Sequence, residues 1–278
     1  MHVVKAADAT ELLERAGPLL ADEARHNLIL GLAGTLRASP ALHPEHELWL
    51  VEDGDAVVGA ALRTPPCNLV LGGGSDVALE ALALELGGAI PGAVGAVPEI
   101  EAFVAACARL HGVTPEPRVR QGIYALDAVI PPATPPGAPR AATRDDRELL
   151  VRWWGEFGVE ALGVLEQDEE QNRRSVDHKL TMPGNGIALW EDGGEPVSAV
   201  GYGSPTPSGV RIGPVYTPPA QRGRGYASAL TAHVSAQQLA GGRRFCFLYT
   251  DLANPTSNKI YVAIGYRRVC DSTRYAFG

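Results

Sequence analysis

The sequence predicts an α/β protein made of two similar units. Three observations carry that expectation. The chain has 278 residues, enough for about two domains of usual size. A proline-rich stretch, IPPATPPGAPR at 130–140, interrupts it near the middle and reads as a stiff linker. The sequences on its two sides resemble each other. Leu48 to Pro66 reads LWLVEDGDAVVGAALRTPP, and Ile187 to Thr206 reads IALWEDGGEPVSAVGYGSPT. Each is strand, turn, strand, with Glu-Asp-Gly at the tip of a hairpin.

The elements follow in the same order in both halves. A helical region precedes each hairpin, Ala9 to Arg37 in the first half and Asp145 to Met182 in the second. A strand and a helix follow each. In the first half the helix is Ser75 to Leu86, with Val77, Leu79, Leu82 and Leu86 apolar. A short apolar run, Ala93 to Val97, leads to a helix over Glu99 to Leu110. Val119 to Val129 is expected to close the first unit as STRYAFG closes the second. The expected division is a first domain at 1–129, a linker at 130–140 and a second domain at 141–278.

Composition narrows the class. Hydrophobic residues make up 45% and charged residues 20% of the chain, ordinary for a globular protein. No basic start followed by an apolar signal core opens the sequence, and no run approaches the ~20 apolar residues of a membrane span. The expectation is a cytoplasmic protein that engages neither membrane nor nucleic acid. Cys67, Cys107, Cys246 and Cys270 lack CxxC spacing, and the seven histidines are scattered. Reduced thiols and no metal are expected. The net charge of −8 is uneven: residues 1–129 hold 8 Lys/Arg and 17 Asp/Glu, while the remainder holds 16 and 15. An acidic first domain can attract a cationic amine or simply keep the chain soluble.

The chemistry concentrates at Val215 to Val234, VYTPPAQRGRGYASALTAHV. A strand, IGPVY, ends at Pro218-Pro219. Then come Arg222, Gly223, Arg224 and Gly225. A helix begins with Tyr226, Ala227 and Ser228, and its apolar face holds Tyr226, Leu230 and Val234. Strand, glycine turn and helix start aim several unpaired N–H groups, and the positive end of the helix dipole, at one spot. A phosphate suits that spot. The glycines allow close approach of the backbone, and the arginines add forked donors. A P-loop would need Gly-Lys-Ser/Thr, which is absent. A dinucleotide fold would need a third glycine where Ser228 stands, although Asp251 at the end of the next strand is placed as a ribose ligand would be.

Arg222-x-x-Gly225-x-Ala227 resembles the Gln/Arg-x-x-Gly-x-Gly/Ala signature of the GCN5-related N-acetyltransferases (GNAT). Further on, Arg244 to Thr250 is a near-continuous apolar run, as a buried strand should be. NPTSNKIYVAIGY follows and resembles the family's last helix: Asn254 is a good N-cap, Pro255 suits the first helical position and Gly265 the end. The resemblance covers roughly 141–278. It implies two tandem GNAT-like domains, each with a mixed, mostly antiparallel sheet flanked by helices. It also implies acetyl-coenzyme A as co-substrate. Amides of the turn from Arg222 to Ser228 would hold the pyrophosphate. Val215, Tyr216 and Thr217 would pair with the pantetheine arm, and Asn254 and Ser257 would contact the coenzyme.

An N–H of this strand can polarise the thioester carbonyl. Pro214 has none, so Val215 or Tyr216 must supply it. Tyr261 stands where the family places a tyrosine that protonates the departing thiolate. No carboxylate lies on VRIGPVY. The candidate bases are Glu156, Glu160, the carboxylate of Gly278 or a chain of waters. Trp153, Trp154 and Phe157 either line the acceptor pocket or form core. The first half has LGGGSDVA where the second has QRGRGYAS. Without arginine, and with Asp76 at the helix start, it is expected to bind no coenzyme and to serve a structural role. Two functions are open: transfer of an acetyl group to a primary amine of a small molecule or peptide, or non-catalytic coenzyme A sensing.

Overall fold

The computed structural model describes residues 1–162 and 169–278. The chain divides into two compact units, residues 1–123 with 268–278, and residues 124–267.

In the first unit β1 (His2–Lys5) precedes helices α1 (Ala9–Arg15) and α2 (Glu23–Ala38). Asp8 caps α1 by accepting from the amides of Thr10 and Glu11. The hairpin follows as β2 (Glu47–Asp53) and β3 (Ala56–Arg63). Then come β4 (Leu69–Gly74), α3 (Asp76–Leu86), β5 (Gly92–Ala96), α4 (Glu99–His111) and β6 (Pro115–Leu126). Strands β1 to β4 pair antiparallel in order, and β4 pairs with β5 in parallel. One face of this sheet packs Leu79, Leu82, Phe103 and Cys107 from α3 and α4. The other packs Leu12, Ile29 and Leu36 from α1 and α2. Val77, read as apolar helix face, is 61% exposed.

The second unit repeats the plan. It contains β7 (Ala138–Ala141), α5 (Arg147–Leu162), α6 (Glu169–Thr181), β8 (Gly186–Asp192), β9 (Glu195–Gly203), β10 (Gly209–Tyr216), α7 (Tyr226–Ala240), β11 (Phe245–Asp251) and α8 (Pro255–Ala263). The helical region expected over Asp145 to Met182 is α5 and α6, and its residues 163–168 lie outside the described residues. Strands β7 to β10 pair antiparallel, and β10 pairs with β11 in parallel. Leu230, Val234, Tyr261 and Ile264 pack on one face, and Trp153, Trp154 and Val176 on the other. Each unit thus has the mixed, mostly antiparallel sheet flanked by helices that the sequence implies.

The units do not follow the linker. The final strand β12 (Arg267–Phe277) pairs antiparallel with β5, Ser272 to Ala276 against Ala96 to Gly92. Tyr275 belongs to the first unit's core. Conversely Tyr124 and Leu126, at the end of β6, belong to the second unit's core. The closing strands are therefore exchanged between the halves, where the sequence reading gave each half its own. The two segments read alike in pattern, and pattern does not say which sheet a strand joins. The end of the linker is also more ordered than read: Ala138 to Ala141 pairs with β8, and the Trp190 indole N–H donates to Pro136 O at 2.8 Å.

Candidate functional site

The site forms where β10 and β11 part. Their parallel ladder runs from Gly209↔Phe245 to Arg211↔Phe247. Beyond it, β10 continues to Tyr216 and β11 to Asp251 without further pairing to each other. The cause is local. The register between β10 and β9 shifts between Ile212 and Val215, around Gly213 and Pro214. A bulge of this kind bends a strand and raises its twist. The edge of β10 carrying Val215, Tyr216 and Thr217 is left open toward β11, as an extended ligand arm needs.

A short 3₁₀ turn, Pro219–Gln221, leads into Arg222 in extended conformation. Gly223 has φ +78° and Gly225 φ +87°. That left-handed backbone is what makes glycine necessary at both. A methyl group at either would meet nothing within 4 Å, so the space in front of the turn is open. Gly225 is the N-cap of α7 and brings no side chain to cap it. The helix's first bonded amide is that of Ala229, which donates to Gly225 O. The amides of Tyr226, Ala227 and Ser228 lie at the positive end of the helix dipole.

The first unit differs at the same place. Gly72 to Gly74 are strand residues of β4. Ser75 caps α3 by accepting from the Ala78 amide. A Cβ at Gly72 would come 2.7 Å from the Ile29 side chain, and one at Gly73 would come 3.2 Å from His26 Nε2. Helix α2 covers these glycines.

The side chains around the second unit's turn are already engaged. Arg222 donates through Nε to Thr217 O at 2.9 Å and pairs with Glu160. Its guanidinium lies over the Tyr216 ring, 5.9 Å from the centroid. The Tyr216 hydroxyl donates to Glu156 Oε2 at 2.8 Å. Burial first, and this carboxylate second, push the Tyr216 phenol up. Tyr226 donates to Asp192, whose carboxylate is the main cause of its raised pKa. Both tyrosines therefore have backbone, rather than side chain, to offer a ligand.

Asn254 caps α8, its Oδ1 accepting from the Ser257 amide at 3.1 Å. That bond occupies the oxygen of one expected coenzyme contact and the amide of the other. Arg224, Ala227 and Ser228 sit at the turn and first helical residues as read. Arg222 to Gly225 are exposed.

Tyr261 packs in the same apolar cluster as Tyr226 and Val215. Its ring meets Tyr266 edge-on, with centroids 6.1 Å apart. Burial pushes its phenol up to about 12. The residue is 8% exposed, and its hydroxyl makes no hydrogen bond with the described residues.

Of the candidate bases, Glu160 is tied to Arg222 and Glu156 to Tyr216. Gly278 lies in the first unit, its amide and carbonyl paired with Thr114. Trp153 and Trp154 are core residues at 5% exposure each. No group of residues suited to a metal occurs among the described residues. No described helix is long and apolar enough to cross a membrane.

Residues 147–266 match the family model described as Acetyltransferase (GNAT) family. That match spans most of the second unit. The whole chain also has the fold of solved structures, one of them a tandem GNAT protein. A tandem GNAT protein from the clavulanic acid biosynthesis pathway is similar over 100% of this chain and 98% of its own, at 16% identity and TM-score 0.60. A GNAT-family acetyltransferase from Colwellia psychrerythraea is similar over 100% of both chains, at 12% identity and TM-score 0.60. An X-ray structure of a Drosophila protein is similar over 99% of this chain and 98% of its own, at 15% identity and TM-score 0.71. No curated protein matches the sequence significantly. At these identities the likeness is one of fold, and the tandem GNAT arrangement is what it shows.

Sequence reasoning placed the turn and the helix that follows it. It missed the pairing of Arg222 with Glu160 and that of Tyr226 with Asp192, which join elements distant in the chain. It also passed over Lys179 and Arg211, whose setting only the sheet reveals.

Proposed function

We propose that the second unit transfers the acetyl group of acetyl-coenzyme A to a primary amine. One observation carries the reading. An uncapped helix N-terminus behind two left-handed glycines stands beside a strand edge that has parted from its neighbour. The pyrophosphate would sit on the amides of the turn, with Arg222 and Arg224 around it. The pantetheine arm would lie along Val215, Tyr216 and Thr217. The thioester would then reach the bulge, where an amide of Val215 or Tyr216 can bind the carbonyl oxygen as charge develops there.

The amine nitrogen attacks the thioester carbon. The C–S bond breaks, and the amine's surplus proton leaves to water or a carboxylate. Tyr261 gives its proton to the sulfur. Its burial keeps that proton in place throughout the neutral range. The first unit, with capped helix and covered glycines, would bind no coenzyme and would serve a structural role.

Tyr261→Phe tests the chemistry. The ring stays, so coenzyme affinity holds. Steady-state kcat falls by roughly 10²–10⁴-fold if acid catalysis is lost. Full kcat with chemistry rate-limiting would make Tyr261 a packing residue. Bound coenzyme A with no transfer to any amine would favour the sensor reading.

A further inference from the structure

On the α5–α6 face of the second unit, two cations, Arg211 and Lys179, lie by Gly203 with no carboxylate bound to either among the described residues. Arg211 is the last residue of β10 still paired with β11, at the root of the opening. Its cross-strand partner on β9 is Gly203. The ammonium of Lys179, on α6, lies over that glycine: a Cβ there would come 3.3 Å from Lys179 Nζ and 2.0 Å from Asn185 Oδ1. Glycine at 203 is thus what seats the lysine. Lys179 donates to the Tyr202 carbonyl at 3.1 Å. Both side chains are only partly exposed.

Neither cation forms a salt bridge with a carboxylate among the described residues. Arg211 acts electrostatically on Lys179, and Tyr249 on Arg211. The nearest acid on the same helix, Asp177, is held by Arg147 at 2.6 Å. Two unpaired, half-buried cations repel each other at a real cost, which an anion placed between them removes. Burial, and then Arg211, lower the Lys179 ammonium to about 7.

We infer that Arg211 and Lys179 hold the anionic group of the acceptor, so that the acceptor is an amine carrying a carboxylate. The inference rests on the acetyl-transfer reading for the word acceptor. It rests on the cation pair itself for the anion. The spacing suits an amino acid or short peptide. Val215, where the thioester would react, lies four residues beyond Arg211, at most roughly 13 Å along an extended strand. The arginine side chain and the bulge both shorten that span. Arg211 would grip the carboxylate with its fork, and Lys179 would add a point charge.

The test compares acceptors that differ only in the anion: β-alanine against β-alaninamide, and a dipeptide against its C-terminal amide. The expected kcat/KM favours each acid by at least about tenfold. Arg211→Gln and Lys179→Met each bring that ratio toward one. Arg211→Lys, which keeps the charge but loses the fork, falls between. Circular dichroism and coenzyme A affinity are read on the same samples to separate misfolding from lost recognition. A wild-type ratio of one or less, or a ratio preserved in folded Arg211→Gln, overturns the inference. If no amine is acetylated, the proposed function fails and the anion is read by itself. Calorimetry with glutarate on the ligand-free chain should then show one site, lost in Arg211→Gln, with proton uptake at pH 8 as Lys179 is charged. No glutarate binding overturns the site.

Discussion

At the scale of single residues, the side chains of the glycine turn are engaged by their own neighbours. Arg222 and Glu160 pair across exposed surface, with side chains 48% and 42% exposed. To reach a pyrophosphate, Arg222 must give up that carboxylate. Exposed pairs contribute up to about 1 kcal/mol, so Glu160→Gln should tighten coenzyme A by up to roughly fivefold. Titration calorimetry checks it, and weaker binding would mean that Glu160 positions Arg222 instead. Lys179 yields a pH-dependent expectation. Its pKa is about 7 in the fold, against 10.5 for an ordinary lysine. Between those values the unfolded chain binds more protons, so stability rises with pH across that window. The penalty of the buried charge is full below pH 7. Relative to wild type, Lys179→Met should therefore be more stabilising at pH 6 than at pH 9.5. Urea midpoints at both pH values measure it, and an equal difference at the two would contradict the shifted lysine.

At the scale of elements, strand exchange decides which unit the C-terminus supports. Tyr275 on β12 is buried among Leu79, Leu82 and Phe103 in the first unit. Tyr275→Ala should cost about 3 kcal/mol there. Hydrogen exchange should show lost protection in β5 and α3, with α7 and β11 unchanged. Loss confined to the second unit would place the strand where the sequence reading had put it. Local signals did reveal the elements themselves. The Glu-Asp-Gly tips, the Asn254-Pro255 cap and the apolar run of β11 each rest on residues adjacent in sequence. The strand exchange rests on pairing across most of the chain, as between Gly92 and Ala276. Nothing in the composition of STRYAFG distinguishes one sheet from the other. The cation pair was hidden for the same reason: Lys179 and Arg211 meet only because β9 brings Gly203 between them.

At the scale of the whole molecule, the account holds that one fold occurs twice and one copy carries the chemistry. The copies share sheet order, helix placement and hairpin. They differ in whether the helix after the fourth strand of each copy starts capped and covered, as at Ser75, or uncapped and open, as at Gly225. Coenzyme A binding to the full chain tests this most directly. Calorimetry should give one site per chain. Gly225→Asp should abolish it, because the new side chain adds a negative charge at the phosphate and strains a backbone held at φ +87°. Ser75→Gly, which removes the cap in the other copy, should leave the site unchanged. Two equivalent sites, or a single site that survives Gly225→Asp with the fold intact, would contradict the account.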